Sequence, residues 1–320
     1  MRVLVTGGAG FIGSHLVDAL MERGENVTVL DNLSRGKVEN VAKWFGHERF
    51  KFMRGDLLHP RDIRRAMDGC EVVFHLAANP EVRLGALDTR VDYEQNVLAT
   101  YNLLEAVREF GVGVVFASTS TVYGEADVIP TPENYGPLKP ISLYGASKLA
   151  CEALISGYAH MFGLNSVILR LANVVGPRCA HGVIYDFVMK LRSNPNVLEV
   201  LGDGTQRKSY LYVDDVVDAF LLASRNLQQD RLQVYNVGSE DQVDVLSIAK
   251  IVVDEMGLKD VVFRCTGGLE GRGWMGDVKE MLLDVSKIKE LGWRVSKGSA
   301  DAVTLAARSL IKGGCIYLGK

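Results

Sequence analysis

Cysteine is scarce in this sequence, and its spacing follows no pattern. The five cysteines among 320 residues are widely separated, odd in number and free of any CxxC pair: Cys70, Cys151, Cys179, Cys265 and Cys315. This spacing argues against a disulfide framework and against structural zinc. The six histidines show no HExxH pair, so no metal site is predicted, and His75 and His181 are better candidates for the wall of a pocket.

Long hydrophobic runs and an excess of one charge are also missing. No apolar run approaches the length that crosses a bilayer, and a net charge of −3 without a basic run leaves no electrostatic footprint for nucleic acid. The first residues enter a strand at once, which leaves no room for a signal peptide. We therefore expect a cytoplasmic protein whose partners include neither a membrane nor nucleic acid.

The glycines are more informative, because three of them share one short segment. The segment TGGAGFIG (6–13) follows an apolar strand and opens a helix predicted over 11–23. At this strand-to-helix turn Gly7 would make the tight turn, Gly10 would let the backbone approach a pyrophosphate, and Gly13 would let the helix pack on the strand. Glycine-rich turns are common, so the alternative is a plain tight loop.

The surrounding sequence favours dinucleotide binding. Phe11 and Ile12 begin the helix, whose N-terminal N–H groups favour phosphates. A second apolar strand at 27–30 leads into Asp31, 18 residues after Gly13, where a carboxylate would bind ribose hydroxyls and repel a 2′-phosphate. The sequence therefore predicts NAD as the cofactor.

Apolar runs alternate with helical patterns through the first half of the chain. Such alternation is typical of an α/β fold whose parallel sheet is covered on both faces. The predicted strands are 3–5, 27–30, 50–53, 72–76, 113–117 and 166–170. The expected fold is a Rossmann-type, doubly wound parallel sheet with a smaller, interleaved C-terminal substrate domain.

The alternation of apolar strands and helices ends after about residue 172, where prolines and a glycine-rich loop interrupt it. We predict an NAD-binding domain over 1–172, to which 208–238 returns. The second domain is predicted over 173–207 and 239–320. The two longest helices are expected at 90–110 and 142–162, and further elements are a strand near 234–238, helices at 244–256 and 299–312, and an extended piece at 261–265.

Two polar groups suggest chemistry at the ends of these strands. Tyr144 and Lys148 are four residues apart, which places both on one face of a helix. A free tyrosine has a pKa of about 10, and a neighbouring ammonium together with a bound nicotinamide ring would lower it towards the working range of a base. Thr119 and Thr121 follow the strand 113–117, where hydroxyls could hold a substrate alcohol. Each of these motifs alone is common by chance. The glycine-rich turn, the hydroxyl segment after the strand 113–117 and the Tyr144–Lys148 pair, in this order along one chain, are specific.

Together these segments resemble the extended short-chain dehydrogenase/reductase family and, within it, the UDP-glucose (UDP-galactose) 4-epimerases. The resemblance covers nearly the whole length. It rests on TGGAGFIG (6–13), DNLS (31–34), GDL (55–57), HLAA (75–78), NVLATYNLLEA (96–106), STSTVYG (118–124), YGASK (144–148), RLANVVGPR (170–178), GDGTQRKSYLYVDD (202–215) and GDVKEMLLDVSK (276–287).

The resemblance implies a role for individual residues. Tyr144 would be the catalytic base and acid, Lys148 would orient the nicotinamide ribose, and Thr119 would hold the sugar oxygen. The implied NAD contacts are Gly7, Gly10, Phe11, Ile12, Gly13, Asp31, Asn32, Asp56, Leu57, Leu76, Ala77, Ala78, Asn96, Tyr144 and Lys148. The implied contacts to a UDP-sugar substrate are Thr119, Thr121, Tyr144, Asn173, Arg207, Lys208, Arg272, Asp277 and Met281.

The reaction that the resemblance implies is 4-epimerisation of UDP-glucose and UDP-galactose through a transient 4-keto sugar. Relatives that dehydrate carry Asp-Glu after the active-site threonine, and decarboxylases carry Glu at the second position, whereas this chain has Ser120 and Thr121. A dehydratase or decarboxylase therefore remains the alternative enzyme. A non-catalytic NAD-sensing scaffold is a further alternative, but it predicts loss of the Tyr, Lys and hydroxyl set, which is intact.

Three positions depart from the epimerase pattern or set its specificity. Pro80 stands where epimerases carry a lysine, and Lys208 stands where they carry an arginine, so either Lys208 or Arg207 would reach the diphosphate. Met281 aligns with the residue that gates the hexose pocket, and its flexible side chain would tolerate some N-acetylated sugar. UDP-N-acetylhexosamine is therefore an alternative substrate. The family further implies a homodimer through helices 90–110 and 142–162.

Overall fold

A seven-stranded parallel sheet organises the first two thirds of the chain. The structure is a computed structural model that describes residues 1–313, so Cys315 and the end of the predicted second domain lie outside the described residues. The sheet strands are β1 (Arg2–Thr6), β2 (Asn26–Asp31), β3 (Phe50–Arg54), β4 (Val72–His75), β5 (Gly113–Thr119), β6 (Ser166–Leu171) and a returning strand, Leu232–Val237. The sheet runs from the returning strand through β6, β5, β4, β1 and β2 to β3. The predicted Rossmann-type fold is confirmed.

Helices cover both faces of this sheet. In chain order, the α-helices of the described residues are α1 (Phe11–Glu22), α2 (Pro60–Met67), α3 (Thr89–Asp92), α4 (Ala99–Phe110), α5 (Leu143–Phe162), α6 (Gly182–Ser193), α7 (Val213–Arg225), α8 (Val245–Glu255), α9 (Ser286–Glu290) and α10 (Ser299–Lys312), of which α1, α2, α4, α5 and α7 pack on the sheet. One apolar cluster lies between the sheet and α1 and α7, and a second lies on the other face against α2, α4 and α5. Sheet residues therefore pack apolar side chains on both faces, as their continuous apolar sequence predicts.

Short strands build the second part of the chain. They are β7 (Asn173–Val175), β8 (Val197–Val200), β9 (Arg207–Lys208), β10 (Tyr210–Tyr212), β12 (Val243–Asp244), β13 (Val262–Cys265) and β14 (Glu280–Met281), and the returning sheet strand is β11. A third apolar cluster joins α6, α8 and α10. The chain thus leaves the central sheet after β6 and re-enters it at β11. The exact division into two domains stays a prediction.

The predicted helix at 90–110 is interrupted in the structure. It consists of α3, a π-helical turn at Tyr93–Leu98, and α4. Single π-helical turns inside α-helices frequently mark functional positions. The turn contains Asn96, which is 1% exposed. The predicted helix at 142–162 is continuous as α5 (Leu143–Phe162) and is capped by Ser142, whose hydroxyl accepts a hydrogen bond from the Gly145 N–H at 3.1 Å.

Candidate active site

The carboxyl ends of the sheet strands open into one large cavity, with a volume of about 560 Å³. Ligands of open parallel sheets bind at this edge, near the point where the strand order reverses. That point lies between β1 and β4, which are neighbours in the sheet although β2 and β3 intervene in sequence. The predicted site residues that line the cavity are Gly7, Gly10, Phe11, Ile12, Gly13, Asp31, Asn32, Asp56, Leu57, Leu76, Ala77, Ala78, Thr119, Thr121, Tyr144, Lys148, Asn173, Lys208 and Asp277.

The glycine-rich turn forms one wall, and its geometry requires glycine at two positions. Gly7 has a φ of +69°, and a Cβ there would lie 2.7 Å from the Ala77 nitrogen. A Cβ on Gly13 would lie only 2.2 Å from the Gly7 carbonyl oxygen. The absence of both side chains lets β1, the turn and α1 pack closely, so that the first N–H groups of α1 face the cavity. This is the arrangement that binds a pyrophosphate.

Asp31 lies at the end of β2, beside this turn. Its Oδ2 accepts a hydrogen bond from the Ala9 N–H at 2.9 Å and its Oδ1 accepts one from the Leu33 N–H at 2.8 Å. The carboxylate is therefore held rigidly at the cavity edge, although burial raises its pKa. Asp56, after β3, accepts a hydrogen bond from Asn32 Nδ2 at 3.0 Å. These oxygen and amide groups suit the hydroxyls of a ribose and the edge of an adenine ring.

Tyr144 lies in the first turn of α5, half-buried on the cavity wall. Burial, the largest cause, and the negative charge of Asp92 together raise the pKa of Tyr144 to about 12, although a hydrogen bond with Thr119 acts in the opposite direction. Desolvation of the phenolate outweighs the other effects here. These surroundings therefore keep the Tyr144 side chain protonated, as a phenol. That Lys148 and a bound nicotinamide ring together lower this pKa stays a prediction for the protein with its cofactor.

Lys148 lies one turn further along α5 and is almost fully buried. Its Nζ donates a hydrogen bond to the Ala117 carbonyl oxygen at 2.9 Å and lies 4.7 Å from the centre of the Phe116 ring. Burial lowers the pKa of Lys148 to about 8. An ammonium with one carbonyl acceptor keeps two donors for other groups at the cavity.

Polar groups from two strand ends face these side chains. Thr119 ends β5, and its Oγ1 lies 3.2 Å from Thr121 Oγ1 and accepts a hydrogen bond from the Thr121 N–H. Asn173 begins β7, and its Nδ2 donates to the Ser209 carbonyl oxygen at 3.3 Å. The cavity lining therefore carries a phenol, an ammonium, two hydroxyls and an amide.

Lys208 and Asp277 form a close ion pair on the cavity lining. Lys208 Nζ lies 2.5 Å from Asp277 Oδ1, and Asp277 Oδ2 accepts a hydrogen bond from the Gly273 N–H at 3.2 Å. Arg272 lies just behind and donates from Nη1 to the Asp277 carbonyl oxygen at 2.8 Å. Its guanidinium also forms a two-armed ion pair with the Glu125 carboxylate.

Four predicted ligand residues do not line the cavity. Arg207 is exposed beside Lys208, Asn96 is buried and donates a hydrogen bond to Ser147, and Arg272 contacts the Asp277 carbonyl oxygen. Met281 is 8% exposed and packs in the apolar cluster under the sheet, so its side chain is in the core rather than on a cavity wall.

Of the two histidines, only His181 lines the cavity. The expectation for His75 was wrong, because its ring is buried between two hydroxyls. The Thr6 hydroxyl lies 2.8 Å from Nδ1, and the Thr100 hydroxyl lies 3.0 Å from Nε2.

Other wall residues were not foreseen from the sequence. They come from the loop after β4 and from the second part of the chain, and they are Glu81, Val82, Cys179, Tyr185 and Trp274. Pro80, in the place of a family lysine, also lies on the wall. No periodic pattern marks these residues, most of which lie in loops, although Trp274 lies beside the Gly276-Asp277 motif and could have been found from it.

The described residues offer no group of three or more His, Cys, Asp or Glu side chains arranged to hold a metal ion. Among them, none of the helices combines the length and hydropathy needed to span a bilayer.

Comparison with known proteins agrees with this geometry. A family model described as the NAD dependent epimerase/dehydratase family matches residues 3–238. The UDP-glucose 4-epimerase of Mycolicibacterium smegmatis is 34% identical over 312 residues, which cover 95% of this chain and 96% of the relative. The UDP-glucuronic acid decarboxylase 6 of Arabidopsis thaliana is also 34% identical, over 92% of this chain and 84% of the relative. A crystal structure of a UDP-galactose 4-epimerase is 50% identical, has a TM-score of 0.86 and covers 98% of this chain and 99% of that one.

Proposed function

Because the chain belongs to the NAD-dependent epimerase/dehydratase family, we propose that it is a UDP-glucose/UDP-galactose 4-epimerase. One observation carries the proposal. Tyr144, Lys148 and Thr119 line the same cavity as the glycine turn and Asp31, while Ser120 and Thr121 stand where the elimination enzymes of the family carry carboxylates. The cavity therefore places the phenol of Tyr144 next to hydroxyl groups, which suits a reversible oxidation of a sugar alcohol.

In the proposed mechanism the chain binds, orients and moves one proton. Thr119 Oγ1 positions the sugar 4-hydroxyl, and Tyr144 Oη takes the proton from that hydroxyl and later returns it. Lys148 Nζ directs its remaining donors towards a ribose and holds positive charge behind the phenolate. When bound, NAD supplies reversible hydride acceptance at sugar C4 and the positive charge that favours the phenolate. Contacts at the diphosphate hold the 4-keto sugar while it turns to present its other face.

The experiment that tests the proposal is a substrate panel with the purified protein. We expect UDP-galactose to be converted to UDP-glucose, with weaker turnover of UDP-N-acetylglucosamine. Release of carbon dioxide from UDP-glucuronate, or a stable 4-keto-6-deoxy product from a nucleotide-linked glucose, would replace the proposal with the decarboxylase or dehydratase alternative. Binding of NAD without turnover of any of these nucleotide sugars would support the alternative of a non-catalytic NAD-sensing scaffold.

Cofactor preference follows from Asp31. The fixed carboxylate at the end of β2 would accept hydrogen bonds from ribose hydroxyls and repel a 2′-phosphate, so NAD⁺ should bind more tightly than NADP⁺. We expect Asp31→Asn to narrow this preference, because the charge is lost while the shape is kept. Titration of each cofactor into nucleotide-free protein measures both affinities. Equal binding of the two cofactors by the unmodified protein would contradict the assignment.

We expect Lys208, and not Arg207, to contact the diphosphate of the substrate. Lys208 faces the cavity whereas Arg207 is exposed beside it, so Lys208→Ala should raise the KM for the UDP-sugar about 10–100-fold, the loss expected for a charged hydrogen bond. The kcat should change little, because the diphosphate does not react. Arg207→Ala is the matched variant on the same strand and should change KM less than about twofold. The reverse order of effects would assign the contact to Arg207.

We also propose that the protein is a cytoplasmic homodimer. Large apolar side chains remain exposed on and next to α4 and α5, namely Tyr93, Tyr101, Phe110, Leu143, Met161 and Phe162. Two copies that pair these helices would bury them in a four-helix arrangement. Light scattering after size-exclusion chromatography should give twice the chain mass of 35.1 kDa, and a monomer would contradict the proposal.

A further inference from the structure

One buried carboxylate close to Tyr144 and Lys148 has no part in the mechanism above. Asp92 ends α3 and is 1% exposed. Its Oδ1 accepts hydrogen bonds from Asn79 Nδ2 at 2.9 Å and from Asn96 Nδ2 at 3.4 Å. Its Oδ2 is buried and has no hydrogen-bond partner in the part of the chain that the structure describes. A buried carboxylate with an unsatisfied oxygen is costly, so its presence calls for a reason other than packing.

The loop over Asp92 is shaped to leave room for that oxygen. Gly85 lies in a helical turn of the loop after β4, and a Cβ at this position would come within 2.4 Å of Asp92 Oδ2. The same loop contributes Glu81 and Val82 to the cavity wall, and Asn79 ties its start to Asp92. Asp92 therefore links the loop that covers the cavity to the helix below it.

A chain of hydrogen bonds leads from Asp92 to the first turn of α5. Asn96, in the π-helical turn that follows Asp92, donates from Nδ2 to Ser147 Oγ at 2.8 Å. Ser147 Oγ in turn donates to the Tyr144 carbonyl oxygen at 2.8 Å, and Ser147 directly precedes Lys148. The π-helical turn thus joins Asp92 to the segment that carries both catalytic side chains.

The charge of Asp92 acts on both side chains. It raises the pKa of Tyr144 and it opposes the fall in the pKa of Lys148 that burial causes. Burial raises the pKa of Asp92 itself, while the Asn79 amide and the Lys148 ammonium favour its ionised form. The other groups that act electrostatically on the pair lie on α5 and on β4, and they are Cys151, Glu152 and His75.

We propose that Asp92 is a positioning residue of the reaction, whose buried carboxylate sets the charge balance of the Tyr144–Lys148 pair and holds the cavity loop against α5. The proposal rests on the proposed function in so far as Tyr144 and Lys148 are its catalytic pair. It predicts that the working pH range of the enzyme depends on a residue that touches neither substrate nor cofactor.

The test is Asp92→Asn, which removes the charge and keeps the shape. Without the negative charge Tyr144 ionises at lower pH and Lys148 loses its proton at lower pH, so both limbs of the pH profile of kcat/KM should move down by about one unit. A second readout needs no turnover. Tyrosinate absorbance, taken as the difference between each protein and its Tyr144→Phe counterpart with NAD⁺ bound, should show the same downward shift.

Asp88→Asn is the matched control, because Asp88 caps the same helix from an exposed position. Its pH profile should coincide with that of the unmodified protein. Lower activity in Asp92→Asn with unmoved pH limbs and an unmoved tyrosinate midpoint would show a merely structural role and overturn the proposal. Asp92→Ser serves if the Asn variant does not fold, and failure of both to fold would likewise assign Asp92 to the fold alone. An unmodified protein that turns over no UDP-sugar would refute the proposed function, while the tyrosinate titration would still decide the role of Asp92.

Discussion

Tyr144→Phe should lower kcat about 10²–10⁴-fold, the range that general acid–base catalysis typically contributes. The phenylalanine ring keeps the apolar contacts of the first turn of α5 and loses only the group that accepts the sugar proton. Nucleotide affinity should therefore stay close to that of the unmodified protein, because the glycine turn and Asp31 are untouched. Initial rates of UDP-galactose conversion and NAD⁺ titration measure the two effects.

Tyr158→Phe is the control for this change, because Tyr158 lies on the same helix, and its hydroxyl donates to Glu105 at 2.6 Å outside the cavity. Its turnover should be near normal. Thr119→Ala should cost less than Tyr144→Phe, because a positioning hydroxyl is lost and the base remains. Near-normal turnover in Tyr144→Phe would exclude Tyr144 as the base.

Glu152→Gln should lower the free energy of unfolding by about 3–5 kcal/mol, the cost of leaving one partner of a buried ion pair uncompensated. Glu152 and Arg170 have side chains only 6% and 7% exposed, and Arg170 Nη2 lies 2.7 Å from Glu152 Oε2. Arg170 Nε contacts both carboxylate oxygens at 3.1 Å. Removal of the Glu152 charge therefore leaves the buried Arg170 guanidinium without its counter-ion. Urea unfolding followed by circular dichroism should show a clearly lower midpoint.

Glu109→Gln is the matched change at the surface. Glu109 pairs with Arg64 at 2.7 Å, but both side chains are about half exposed, so the loss should be about 1 kcal/mol or less. Equal effects of the two substitutions would mean that the Glu152–Arg170 pair adds no more than an exposed pair.

The nucleotide half of the site could be predicted because local sequence determines it. A strand, three glycines and a helix can be recognised within 13 residues, and the close contact of Gly13 with the Gly7 carbonyl explains why the pattern is strict. The spacing of Tyr144 and Lys148 places them on one helical face for the same local reason.

The sugar half was less predictable because distant segments build it. Met281 aligns with a gating residue in sequence, but it lies on β14, a strand of two residues paired with β9, and its side chain packs in an apolar cluster built from distant segments. The role of Asp92 depends on a π-helical turn and on Gly85, neither of which leaves a periodic pattern. The pKa of Tyr144 depends on burial, which spacing along a helix does not reveal.

The return of the chain to the sheet at β11 affects any attempt to shorten the protein. β6 is buried along all six of its residues and pairs with β5 on one side and β11 on the other. A fragment that ends near residue 172 would contain the glycine turn at 6–13 and Tyr144, yet β6 would become an uncovered edge with unpaired N–H and C=O groups. Such an edge is a template for intermolecular strand pairing. The fragment should therefore aggregate, and limited proteolysis should not release a stable nucleotide-binding piece.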